Sequence, residues 1–291
     1  MKPSADADGD SATLIKVSLI LLSFISFAIK KPYREPQAFH SRYPISSAYK
    51  PSPVKYGASK SKKKKLYITF DDGPNRGTKN VFTIAKREEV AVTFFIVGEH
   101  VFASYGQERL WDSMKIAEHI ELCNHSFSHA GGKYAKYYQS PDSVVQDFKR
   151  TRDSLKFDNP VARAPGRNIW RIDTLSFTDL KKSAAAADSL QKAGFVLMGW
   201  DLEWQFDHKT MSVISSAEQM LAAIDSTFSR RRTKQPDHLV FLAHDQAFVK
   251  SDDSMQLSEF FRLLKEQDQY ELSVVSNYPG AEKTSDSIAV K

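Results

Sequence analysis

The chain has 291 residues, 41% hydrophobic and 12% aromatic, with a formal net charge of +6. That apolar content excludes disorder over the chain as a whole and suffices for one large domain with appendages or for two small ones. The single cysteine, Cys123, excludes an intrachain disulfide and a thiolate-only metal site.

In chain order, the first feature is an apolar run from Val17 to Ile29 between Lys16 and Lys30-Lys31. It is shorter than the roughly 20 residues that cross a bilayer comfortably. Residues 1–29 are therefore expected to be a signal peptide, with Ser26 and Ala28 at its cleavage site, or a retained membrane anchor. Asp6, Asp8 and Asp10 precede the run, so a start near Leu14 would make the better signal peptide. Either form implies export to the cell envelope, the periplasm or the outside. Residues 30–64, rich in Pro, Ser, Tyr and Lys without apolar periodicity, read as a linker. The cluster Lys60, Lys62, Lys63, Lys64 and Lys65 has no interleaved aromatics to stack bases, so no nucleic-acid partner is expected, and no protein partner is inferred. Residues 278–291 form a polar tail.

Between them, residues 65–277 alternate strand-like and helix-like segments. Strands are expected over Leu66 to Phe70, Ala91 to Val97, Ile120 to Cys123, Val161 to Ala164, Phe195 to Asp201, Leu239 to Ala243 and Leu272 to Val275. Helices are expected over Thr78 to Arg87, Glu108 to Glu118, Pro141 to Leu155, Thr174 to Ala193, Ser215 to Phe228 and Met255 to Gln267. Alternation of this kind implies an α/β domain with a parallel sheet. An incomplete β/α barrel and an open doubly wound sheet satisfy the pattern equally.

Polar residues cluster at the carboxyl ends of these strands, where α/β folds build active sites: Asp71-Asp72, His125 with His129, Arg163, Asp201 and His244. Two imidazoles four residues apart can face one metal, and a carboxylate completes a set that leaves a position open for water. The metal lowers that water's pKa from about 15.7 towards 7, and the second carboxylate serves as base. His244 can protonate a departing amine, the difficult leaving group of amide hydrolysis. Arg163 can orient the base, and Asp201 can pair with His244.

Thr69-Phe70-Asp71-Asp72-Gly73-Pro74 resembles the first signature of the polysaccharide deacetylase family, the NodB-homology or family-four carbohydrate esterases. His119 to His129 resembles the second, and Leu242-Ala243-His244 the last. The resemblance, spanning Leu66 to Val275, implies a distorted (β/α)7 barrel forming a single catalytic domain. It implies Asp71 as base, His244 as acid, and Asp72, His125 and His129 as ligands of a divalent metal, Zn2+ with Co2+ as alternative. Leu242 would line the acetyl-methyl pocket. Two segments depart from the pattern. Arg163-Ala164-Pro165 is followed by Gly166 where an aromatic groove wall is usual, leaving a backbone N–H for the oxyanion, with Trp170 as a replacement wall. Asp201-Leu202-Glu203-Trp204 spaces its acids more tightly than usual before the tryptophan, which is expected at the substrate with Pro165 and Gly166.

The function expected is N-deacetylation of a GlcNAc-containing polysaccharide such as peptidoglycan, a chitin-like chain or an exopolysaccharide. The alternatives are an O-acetyl esterase acting on a glycan such as xylan, a non-catalytic glycan-binding module, and a basic protein gripping anionic polymer.

Overall fold

The computed structural model describes residues 63–281. The export or anchor segment expected over residues 1–29, nearly all of the linker and most of the tail lie outside the described residues.

The strands are β1 (Lys64–Gly73), β2 (Val92–Ile96), β3 (Ile120–Asn124), β4 (Val161–Ala162), β5 (Ile169–Ile172), β6 (Leu175–Thr178), β7 (Val196–Leu197), β8 (Leu202–Trp204), β9 (Phe206–Asp207), β10 (Ser212–Val213), β11 (His238–His244) and β12 (Tyr270–Ser273). The helices are α1 (Arg76–Glu88), α2 (Gly98–Val101), α3 (Tyr105–Lys115), α4 (Tyr134–Tyr137), α5 (Pro141–Leu155), α6 (Ala184–Lys192), α7 (Ala217–Ser229) and α8 (Ser251–Lys265). The main sheet runs β6-β5-β7-β4-β3-β2-β1-β11-β8, with β12 beside β1. All seven expected strands contribute, and every pairing is parallel except those of β5 with β6 and β7.

A short link decides between barrel and open sheet. Only residues 198–201 separate β7 from β8, although these strands lie near opposite ends of the strand order. So short a link spans under about 20 Å. The sheet must therefore curl until its ends approach, and it forms the half-barrel of a distorted β/α barrel.

The same link corrects one expectation: of the strand read over Phe195 to Asp201 only Val196–Leu197 is strand, and Met198–Asp201 is the crossing that leads to β8. A second correction concerns the helix read over Thr174 to Ala193, of which only Ala184–Lys192 is α-helical. Leu175–Thr178 alternates as a strand should and pairs antiparallel with β5, Trp170 opposite Phe177, while Asp173 turns the hairpin at φ 47°. Local composition allowed either state, and the cross-strand partner selected the strand.

Side chains alternate between two cores. Leu66, Ile68 and Phe70 of β1 pack outward with Val81 and Ile84 of α1, Ile224 of α7 and Phe260 of α8. Tyr67 turns inward to join Phe95, Cys123, Val161 and Val240 inside the curl. Burying such a side chain fully contributes about 1.5–3 kcal/mol, so the alternation specifies which face of each strand is inside.

Candidate active site

The alternation that puts Tyr67 inside also turns Thr69 and Asp71 inward, and likewise Leu242 and His244 two and four residues beyond Val240. Asp72 would face away in a regular strand. The β1–β2 register, however, shifts between Asp71 and Gly73, making Asp72 the extra residue of a bulge at φ 80°. Both carboxylates thereby line one cavity of about 830 Å³ with His125, His129 and His244.

Asp72 Oδ1 lies 3.5 Å from His125 Nε2 and 3.0 Å from His129 Nε2. Ligand atoms of these three residues all fall within 4.8 Å of one another. His125 Nδ1 donates to the Arg163 carbonyl at 2.9 Å, which aims Nε2 at the carboxylate. Asp72 Oδ1 is buried without a hydrogen bond, an unmet acceptor that a cation would satisfy. Burial pushes the Asp72 carboxyl up, but the two imidazoles outweigh it and hold it well below the usual carboxylate range. Two imidazoles and one carboxylate around such a gap fit a divalent transition metal.

Asp71 is held differently. Its Oδ1 accepts from Arg163 Nη1 at 2.8 Å, and its Oδ2 stands 3.6 Å from His125 Nε2. Arg163 is wholly buried and spends its other donors on Thr69 Oγ1 (2.7 Å) and the carbonyls of Met198 (3.1 Å) and Gly199 (2.9 Å), with Phe95 beneath its plane. The crossing between β7 and β8 thus supplies the acceptors that fix the arginine, and the arginine fixes Asp71.

Three expected placements are corrected. Asp201 does not meet His244. Its carboxylate accepts from the backbone N–H groups of Lys234 (2.8 Å) and Val240 (2.9 Å), tying the crossing to β11. Glu203 faces His244 instead, with Oε1 3.8 Å from Nδ1, because β8 pairs with β11 and sets Glu203 opposite Leu242. Trp204 is core: 1% exposed, it packs on Phe241, Phe248 and Phe260 and donates to the Ser215 carbonyl. Trp170 is likewise fully buried, against Tyr278, and forms no groove wall.

The wall comes from Tyr134. Its ring sits over Gly166, where a Cβ would lie 3.0–3.2 Å from ring atoms, and Gly166 has φ +60°. Both facts demand glycine there. Tyr134 and Gly166 line the cavity with Leu242, as does Trp200, whereas Pro165 is buried beside them and accepts from Tyr138 through its carbonyl.

Several supports went unread in the sequence. His100 Nδ1 donates to the Asp72 carbonyl at 2.8 Å, and Gln246 Nε2 to Asp72 Oδ2 at 3.2 Å. Asp245, wholly buried and pushed up to about 8 by burial, accepts from Asn75 and Thr78 and so ties the start of α1 to the end of β11. Asp245 and Gln246 directly follow His244 in the chain, whereas nothing in the linear sequence linked His100 to Asp72.

Burial also pushes the Asp201 carboxyl up, to about 6, against the two backbone donors that favour its charge. The folded state therefore holds this proton more tightly than the unfolded chain, where Asp titrates near about 3.9. Its stabilising contribution is present at low pH and is lost as pH rises through about 6. The stability of the wild type relative to Asp201→Asn, read from urea unfolding, is expected to fall by roughly 2 kcal/mol between pH 4 and pH 7. A pH-independent difference would show that the carboxyl titrates as an ordinary one.

Residues 58–167 match the polysaccharide deacetylase family model. Among curated proteins, the chain is 23% identical over 230 residues to the chitin disaccharide deacetylase of Vibrio alginolyticus, covering 56% of this chain and 54% of that one. It is 30% identical over 122 residues to a chitooligosaccharide deacetylase of Bradyrhizobium sp. (strain ANU 289), covering 42% and 53%. The chain thus spans about half the length of these relatives. A Streptococcus mutans CE4 esterase superposes with a TM-score of 0.55 and 26% identity, covering 73% of this chain and 86% of that structure.

Proposed function

From its kinship with the polysaccharide deacetylases, which bears out the resemblance read in its motifs, we propose that this chain hydrolyses N-acetyl groups on a GlcNAc-containing polysaccharide, releasing acetate. The observation that carries the reading is the convergence of Asp71, the Asp72–His125–His129 set and His244 on one cavity. Asp72, His125 and His129 would hold a divalent cation, with Zn2+ the expected occupant. When bound, it supplies Lewis acidity, easing loss of a proton from water and polarising the acetyl carbonyl.

The remaining work falls to the chain's own groups. Arg163 occupies one oxygen of Asp71, leaving Oδ2 on the cavity side to take the proton from the attacking water. Water oxygen adds to the carbonyl carbon, and the C–N bond then breaks. His244, its Nδ1 turned towards Glu203, delivers a proton to the departing nitrogen through Nε2. Leu242 and Tyr134 bound the space for the acetyl methyl and the sugar ring.

The test is acetate release by the full chain, chelated and then reloaded with zinc or cobalt, on N-acetylglucosamine oligomers, peptidoglycan and acetylated xylan. Chelation is expected to abolish release from the amino-sugar substrates and either metal to restore it. Release from xylan alone would turn the reading into an O-esterase, and bound metal without release from any substrate would leave a binding module.

A further inference from the structure

Beside the catalytic cavity lies a second one of about 810 Å³ between α1 and α3, and the two share Asn75 and Arg76 on their rims. Its charge is one-sided. Arg76 and Lys79 from α1 and Arg109 from α3 line it, and no carboxylate does. All three side chains are exposed, and among the described residues none forms an ion pair. The neighbouring acids on α3 are directed elsewhere: Glu108 lines neither cavity, and Asp112 pairs with Lys115 at 2.8 Å.

The cleft is also built to stay open. Small residues, Ser104, Gly106 and Ser113, form the flank of α3. Gln107 Nε2 donates to the Pro74 carbonyl at 2.8 Å, bracing α3 against the loop that follows Asp72. Phe82 lies half-buried in the cleft, and Tyr105 stands exposed beside Arg109, whose guanidinium is 5.7 Å from its ring centre. Aromatic faces with guanidinium forks suit a sugar ring carrying a carboxylate.

Building on the deacetylase reading, we propose that this cleft is a subsite for a carboxylate-bearing sugar of the same glycan chain whose N-acetyl group occupies the catalytic cavity. The substrate is then an anionic, carboxyl-substituted amino-sugar polymer and not a neutral one. Arg76, shared by both cavities, spans the step from one sugar to the next, and Lys79 and Arg109 meet the carboxylate.

The test compares, for the full chain, titration-calorimetric affinity for a carboxyl-substituted N-acetylated glycan, its methyl-esterified form and a sulfated analogue, beside acetate release from each. The carboxylated form is expected to bind about tenfold more tightly than the ester at low salt, the gap closing near 1 M salt as exposed charges are screened. The double substitution Lys79→Glu with Arg109→Glu should abolish the preference for the acid over the ester, with an unchanged urea-unfolding midpoint certifying the fold. Equal affinity for acid and ester, a gap that survives the double substitution, or tighter binding of the sulfated form would each overturn the proposal. A charge-dependent gap without acetate release from any glycan would keep the subsite and remove the deacetylase reading; release without a gap would do the reverse.

Discussion

Asp71→Asn is expected to lower acetate release by roughly 10²–10⁴-fold, the contribution of a positioned general base, while the protein keeps its metal stoichiometry. Asparagine has the shape of aspartate and can still accept from Arg163 through its amide oxygen, so geometry is little disturbed. It cannot take a proton from water. Asp71 is not among the residues that could hold a metal, which are Asp72, His125 and His129, whose ligand atoms come together. Zinc content of the purified variant and its kcat on N-acetylglucosamine oligomers check both halves. Activity within tenfold of wild type would remove Asp71 as base, and loss of bound metal would make it a ligand.

Arg163→Met should act mainly on stability. The guanidinium is wholly buried and bonded to Asp71, Thr69 and the carbonyls of Met198 and Gly199. Removing it leaves Asp71, itself 3% exposed, as a buried charge without its partner. Breaking a buried pair from one side costs about 3–5 kcal/mol, whereas replacing both partners can be close to neutral. Urea unfolding of Arg163→Met should show that loss, and Arg163→Met combined with Asp71→Leu should recover much of it. Arg163→Lys should recover less, because an ammonium cannot span acceptors on two strands and the crossing at once. A loss under about 1 kcal/mol for Arg163→Met would show that water enters and screens the carboxylate. The stability experiment needs no substrate, so it tests the architecture of the site apart from its chemistry.

Much of this site was legible in the linear chain for a physical reason. Parallel α/β sheets present the carboxyl ends of their strands on one face, so polar residues just after apolar runs mark a site before any contact is known. Asp71, His125, Arg163 and His244 were readable in this way, and the structure brings all four to the inner side of the curl. Readings failed where the meaning of a residue depends on the strand beside it. Asp201 and Glu203 both carry carboxyl groups and stand two residues apart, yet only Glu203 reaches His244, because β8 pairs with β11 in one register. Trp204 was expected at the substrate and Trp170 as a groove wall, but both are buried, and Tyr134, some thirty residues before Gly166, supplies the wall.

Residue type and periodicity by themselves therefore determined the α/β class and the face of the sheet on which the candidate site residues gather. Tertiary structure alone decided how they are aimed. Neighbours in a strand point to opposite faces, and only the bulge at Asp72 turns both carboxylates into one cavity. Whether the sheet stays open or curls rested on the short crossing from β7 to β8, whose length acquires meaning only once β7 is seen beside β4 and β8 beside β11. Both are properties of pairing between distant segments, and pairing has no signal in a local pattern of side chains.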